Sequence, residues 1–116
     1  MKRNMELVRD LLLLAESDGD DKKLCAEYGN DVVAGHVAIM KDAGLVEAAV
    51  ALNSYGKPCA CEILRLTWKG HEFLDNARND TVWNKVVARV KDTVATVSFD
   101  VLAELLKGDA ISLLQG

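Results

Sequence analysis

Four features of this sequence predict a mostly helical α+β fold. Residues 4–16 carry an amphipathic helical pattern, and a second helical pattern over 31–43 stops at Gly44. An alternating segment interrupted by turn residues follows over 46–67, and helical patterns resume to the end of the chain. The expected order is helix, short strand, helix, β-hairpin, then three helices. At 116 residues the chain suits one domain, 1–116, with residues 1–67 holding the helix, strand, helix and hairpin and 68–116 the C-terminal helices.

In the first helix Met5, Val8, Leu11, Leu12 and Ala15 recur at helical spacing, with Glu6, Arg9, Asp10 and Glu16 on most of the other face. Ser17-Asp18-Gly19-Asp20-Asp21 is a loop by composition. Residues 22–28 alternate, Leu24, Ala26 and Tyr28 against Lys23, Cys25 and Glu27, which reads as a short strand. Asn30 is placed to cap the next helix, whose Asp31 favours the positive end of the helix dipole. Val33, Val37 and Met40 form its buried stripe. Ala34, Gly35, Ala38, Lys41 and Asp42 then face outward. Gly44 suits the left-handed residue past the helix end, with Leu45 folding back onto Met40.

Val46, Ala48, Val50 and Leu52 alternate with Glu47, Ala49, Ala51 and Asn53, and residues 53–58 supply the turn. The return strand covers 59–67 with Leu64 and Leu66 on one face, after which Thr67 caps a helix over 68–79 that buries Phe73, Leu74 and Ala77. A helix over 81–93 carries the stripe Trp83, Val86, Val87 and Val90. Ser98 caps the last helix, Val97 and Leu102 are spaced as a hydrophobic staple, and Leu102, Leu105 and Leu106 are its core. Gly108 is expected to interrupt it, leaving Ile111, Leu113 and Leu114 as an apolar tail that could dock on the first helix or join two copies in a homodimer.

A helix followed by a β-hairpin is the winged-helix arrangement. The short strand at 22–28 would stand where such folds usually place the helix before the recognition helix.

Several function classes lose support on composition. Fourteen Lys+Arg against eighteen Asp+Glu give a net charge of −4, which argues against a polyanion partner. No apolar run approaches a membrane span, and no secretory leader pattern opens the chain. Three cysteines cannot all pair, which fits a reducing compartment, and a cytoplasmic location is expected.

Met1-Lys2-Arg3-Asn4-Met5-Glu6-Leu7-Val8-Arg9 resembles the start of an uncharacterised bacterial family common in phages and prophages, the domain of unknown function 2513. Leu66-Thr67-Trp68-Lys69-Gly70-His71-Glu72-Phe73-Leu74-Asp75, with Arg78, Asp80, Thr81, Trp83 and Asn84, is similar to its most distinctive block, and Ser98-Phe99-Asp100-Val101-Leu102 to its last helix. The resemblance implies a winged-helix-like fold and a phage-like setting, and it supplies no activity. The run from His36 to Val46 is also similar to the end of the recognition helix in many winged-helix regulators.

Two functions follow as expectations. One is a DNA-binding regulator using Asn30 and Lys41 of the 31–43 helix and Lys57 of the hairpin. Residues 1–45 hold six Lys/Arg against nine Asp/Glu, which makes this a sparse phosphate-binding surface. The other is a protein-interaction module, such as an adaptor or inhibitor of host machinery. A second basic patch could join Lys69, Arg78, Lys85 and Arg89, against the alternative of a solvated helix face.

Cys59 and Cys61 stand two apart on a strand, with Cys25, His36 and His71 as further metal-ligand types, yet no C-x2-C or H-x3–5-H spacing occurs. Packing thiols are the simpler reading, and no metal or cofactor is assigned. His71 lies near Glu72 and Asp75, but no nucleophile or second catalytic group stands at a recognisable spacing. His71 is read as a buttress of the hairpin–helix junction, no catalytic residue is assigned, and no enzymatic activity is expected. Trp83 is read as core, and Trp68 as packing the hairpin against the following helix or serving as a surface hot spot.

Overall fold

The computed structural model describes residues 2–90 and 97–115, with side chains through residue 108. Within them the order is α1 (Met5–Glu16), α2 (Lys22–Tyr28), α3 (Asn30–Asp42), β1 (Val46–Leu52), β2 (Pro58–Leu66), α4 (Trp68–Ala77), α5 (Asp80–Val90) and α6 (Phe99–Gln115). This is a mostly helical α+β architecture, six helices and one two-stranded antiparallel sheet among the described residues. The expectation over 91–93 lies outside the described residues, as do the side chains of Ile111, Leu113 and Leu114.

α1 is the central element. The Asn4 side chain accepts the Glu6 and Leu7 N–H groups, satisfying donors that a helix start leaves open. Met5, Leu7, Val8, Leu11 and Leu12 are all buried, a wider apolar arc than one stripe, because α1 meets α3, α4 and β2 at once. α3 ends as its sequence predicts. Gly44 takes a φ of 78°, the Gly44 N–H donates to Lys41 and the Leu45 N–H donates to Met40, both through backbone oxygens. This paired closure satisfies two of the last carbonyls of α3.

Residues 22–28 are a helix and not a strand. Leu24, Cys25 and Tyr28 are its half-buried residues, a spacing of one and three that a helix face supports and an alternating strand does not. The N-cap position of α3 falls on Gly29, and Asn30 lies in the first turn without a capping bond. The outward face expected for α3 is also corrected. Ala34 and Gly35 are buried and Ala38 is partly so, leaving Lys41 and Asp42 exposed.

On β2 the alternation slips. β1 runs regularly, but β2 carries extra residues at Cys59 and Leu64, so Ala48 faces Ile63 while Glu47 faces Arg65. Leu66 is therefore buried while Leu64 is 62% exposed, against the expectation that they share a face. Along β1 burial fades from Val46 to Leu52, which is 61% exposed, as the ribbon leaves the cover of α3.

Thr67 caps α4 by accepting the Gly70 N–H, and Asn79 caps α5 by accepting the Val82 N–H. Trp83 is fully buried, its indole N–H donates to Glu6, and the Arg9 guanidinium lies 5.4 Å from its ring centre. Arg9 also donates to the Ala77 and Arg78 carbonyls at the end of α4 and to Asp80. Phe99, buried at the start of α6, meets Phe73 edge-on at 5.8 Å. Gly108 does not interrupt α6, which continues to Gln115. A glycine costs an interior helix position only about 1 kcal/mol, so by itself it does not dictate a break.

Candidate interaction surface

α3 and the hairpin occupy the positions that the sequence assigns to nucleic-acid contact. Along α3 the exposed residues are Asn30, Asp31, Lys41 and Asp42, two acids against one base. Asn30 and Lys41 stand at opposite ends of the helix, about 16 Å apart along its axis at 1.5 Å per residue. The middle of α3 faces inward. His36, there, is fully buried. Its Nε2 accepts the Asn4 N–H at 2.8 Å and its Nδ1 lies 2.8 Å from the Val32 carbonyl, so Nδ1 carries the proton and the ring joins α3 to the start of α1.

Lys57 is exposed in the hairpin turn, where Asn53 orders the chain by accepting the Tyr55 and Lys57 N–H groups. The hairpin is richer in apolar than in cationic surface. Tyr55 at its tip is 86% exposed, and Leu52, Leu64 and, beyond the strand, Trp68 are exposed as well. Glu47 and Arg65 pair across its outer face through two contacts of 2.9 and 2.7 Å. Trp68 does not pack the hairpin against α4. It stands 78% exposed, and its indole N–H donates to Glu72 one turn on.

The four cations proposed as a second patch do not present free charge together. Lys69 pairs with Asp100 at 3.0 Å. Arg78 grips both Glu16 oxygens, at 2.7 and 2.6 Å, and also meets Asp75 at 3.1 Å. Arg78's hydrogen bonds lower the Glu16 carboxyl below its ordinary range, and in return those carboxylates raise the Arg78 guanidinium. Lys85 and Arg89 are exposed on α5. Residue spacing does not reveal Glu16 and Asp100 as partners, because they come from elements distant in the chain.

Residues 2–98 match the family described as "Hypothetical protein (DUF2513)". The chain belongs to this family. A relative from Haemophilus influenzae, described as an uncharacterized protein, is 34% identical over 110 residues, covering 90% of this chain and 92% of the relative. No solved structure matches.

The three cysteines of this DUF2513 chain lie on α2 and β2. Cys61 is half-buried on β2, its thiol 3.8 Å from Asp21, and Cys25 of α2 is also half-buried. Burial, then the Asp21 charge and Cys25, push the Cys61 thiol up to about 11; burial and Asp21 raise Cys25 as well. Both are poor nucleophiles in this setting. Cys59 lies at the bulge, with its thiol 3.5 Å from the Ala51 carbonyl. Among the described residues no three His, Cys, Asp or Glu side chains converge as metal ligands. His71 is exposed on α4, so it does not act as the buttress of the hairpin–helix junction. A groove of about 520 Å³ lies between α4 and α6 with Phe73 and Phe99 in its lining and Glu72, Asp75 and Glu104 among its acids. No helix among the described residues is long and apolar enough to cross a membrane.

Proposed function

We propose that this protein is a non-enzymatic, winged-helix-like interaction module that docks a protein partner through the hairpin and Trp68. The observation carrying this reading is the chemistry of the hairpin. Where a DNA-binding wing presents cations, this one presents Leu52, Tyr55 and Leu64, with Trp68 following. The element order, α1, α2, α3 and then β1–β2, supports the winged-helix reading. The sequence resemblance favours a phage or prophage setting, in which the module would act as an adaptor or inhibitor of host machinery. Three free thiols, Cys25, Cys59 and Cys61, support a cytoplasmic location.

A second reading, a DNA-binding regulator, draws support from α2. Because residues 22–28 are helical, α2 and α3 are joined through Gly29 in a helix–turn–helix order. The test compares the two. The wild-type protein and a Tyr55→Ala/Trp68→Ala variant are used as bait in host lysate, and both are titrated with duplex DNA across a salt series. The partner reading expects one specific protein whose capture falls at least about tenfold in the variant, with no duplex binding at low salt. Duplex binding whose salt slope falls in Lys41→Ala and Lys57→Ala overturns it in favour of the regulator.

A further inference from the structure

We infer that the open edge of β1 pairs with β1 of a second copy of this chain, about a two-fold axis at Ala49, to form a continuous four-stranded sheet. This goes beyond the choice of partner above and rests on the backbone of the hairpin.

The two edges of the sheet differ. β2 carries the devices that keep an edge strand from pairing: Pro58 at its start, bulges at Cys59 and Leu64, and the charges of Glu62 and Arg65. It is also flanked by α1, whose Leu14 and Ala15 share a cleft with Cys61, Ile63 and Leu64. β1 is regular over all seven residues, has no proline, and holds Glu47 as its one charge. Among the described residues no strand pairs with its other edge. A long, flat, mainly apolar edge is a template for strand addition.

The parity of the ladder says which groups point outward. The Asn53 N–H donates to Lys57 across the hairpin at 2.8 Å. Residues of the same parity on β1 (Glu47, Ala49 and Ala51) therefore direct their backbone groups to β2, and Val46, Ala48, Val50 and Leu52 direct theirs to the open edge. Placing the axis at Ala49 sets Ala48 opposite Val50 of the second copy and Val46 opposite Leu52. Those are hydrogen-bonded pairs in that register, up to about eight bonds in all.

The side chains suit the same register. Inner-face Val, Ala and Leu meet one another, and Leu52, 61% exposed in the single chain, gains Val46 as a neighbour. On the outer face Ala49 meets Ala49, with no bulk to hold the strands apart. Glu47 meets Ala51, so the two glutamates lie at opposite ends of the ribbon and each keeps its own Arg65. The segment VEAAVAL is thus self-complementary when antiparallel, which favours a second copy over an unrelated strand as occupant.

Sedimentation equilibrium of the wild-type chain should show the mass doubling with concentration. Ala49→Glu, exposed in the single chain, should restore the monomer with an unchanged circular dichroism spectrum, since two carboxylates would meet at the axis. Register is read by cysteine cross-linking with Cys25, Cys59 and Cys61 replaced by serine. Ala49→Cys should link two chains on mild oxidation, because its Cα atoms would lie about 4.5 Å apart. Ala51→Cys should not. A monomer at every concentration, a dimer that survives Ala49→Glu, or linkage through Ala51→Cys in place of Ala49→Cys would each overturn the inference.

Discussion

Replacing Gly70 and Gly108 by alanine, one at a time, should move stability in opposite directions. Gly70 stands in the first turn of α4 and Gly108 in the interior of α6, and helix propensity alone credits each change with up to about 1 kcal/mol of stabilisation. At Gly108 nothing lies within 4 Å of the added Cβ, so most of that gain, about 0.5–1 kcal/mol, should appear. At Gly70 the added Cβ would fall 2.0 Å from the Leu45 carbonyl oxygen and 3.0 Å from its carbon. Ordinary carbon–oxygen contact begins near 3.3 Å, so backbone must retreat by about 1.3 Å. That carbonyl also accepts the Thr67 N–H at 3.0 Å, a bond worth about 1 kcal/mol net. Overpacking adds roughly 1–3 kcal/mol. Set against the propensity gain, Gly70→Ala should destabilise by about 1–3 kcal/mol. Urea unfolding followed by circular dichroism reads both, as a shift in midpoint at constant slope. Shifts of the same sign would refute the account of α4 lying in contact with the backbone at Leu45.

Arg9→Lys should cost nearly as much as Arg9→Ala, about 2 kcal/mol in thermal or urea unfolding, because one ammonium cannot reach Ala77, Arg78 and Asp80 together while covering Trp83. Full rescue by lysine would show that charge alone matters there. Asp10 is raised above the ordinary carboxylate range by burial first and by Glu6 and then Glu27, with Arg9 opposing. A raised folded value means the native state binds the extra proton, so this group's contribution falls as pH rises from about 3.9 through the raised value. Asp10→Asn should therefore raise the melting temperature at neutral pH and lose that advantage in acid; an equal gain at both pH values would point to a cause other than ionisation.

The parts legible in the sequence are those set by local chemistry. The Gly44-Leu45 closure, the Thr67 cap and the Ser98 cap, which accepts the Val101 N–H, depend on residues within a few positions of one another. What the sequence hid depends on distant partners or on small departures from a period. Seven residues are too few to separate alternation from a helical face, so Leu24, Ala26 and Tyr28 pointed to a strand. The bulge at Leu64 inverts one position without altering the residue types around it. Charge runs showed Lys69 and Arg78 as cations but not Asp100 and Glu16, which arrive from other elements. The exposure of Lys41 and Lys57 is legible in the sequence, whereas the apolar reach of Leu52, Tyr55 and Leu64 needs the geometry of a ribbon that outruns its helix.

Leu45 joins both ends of that ribbon. Its N–H closes α3 through Met40, its carbonyl receives Thr67 from the far strand, and the Gly44 carbonyl receives the Thr67 hydroxyl. The hairpin therefore leaves and re-enters the helical body through one clasp. Beyond the stretch that α3 and α1 cover, the ribbon's outer end touches no helix, and the anchoring Leu45 and Thr67 lie far from it. The tip is thus an exchangeable cassette: loops of new length or recognition chemistry can be spliced between Asn53 and Lys57 while the helical body keeps its register.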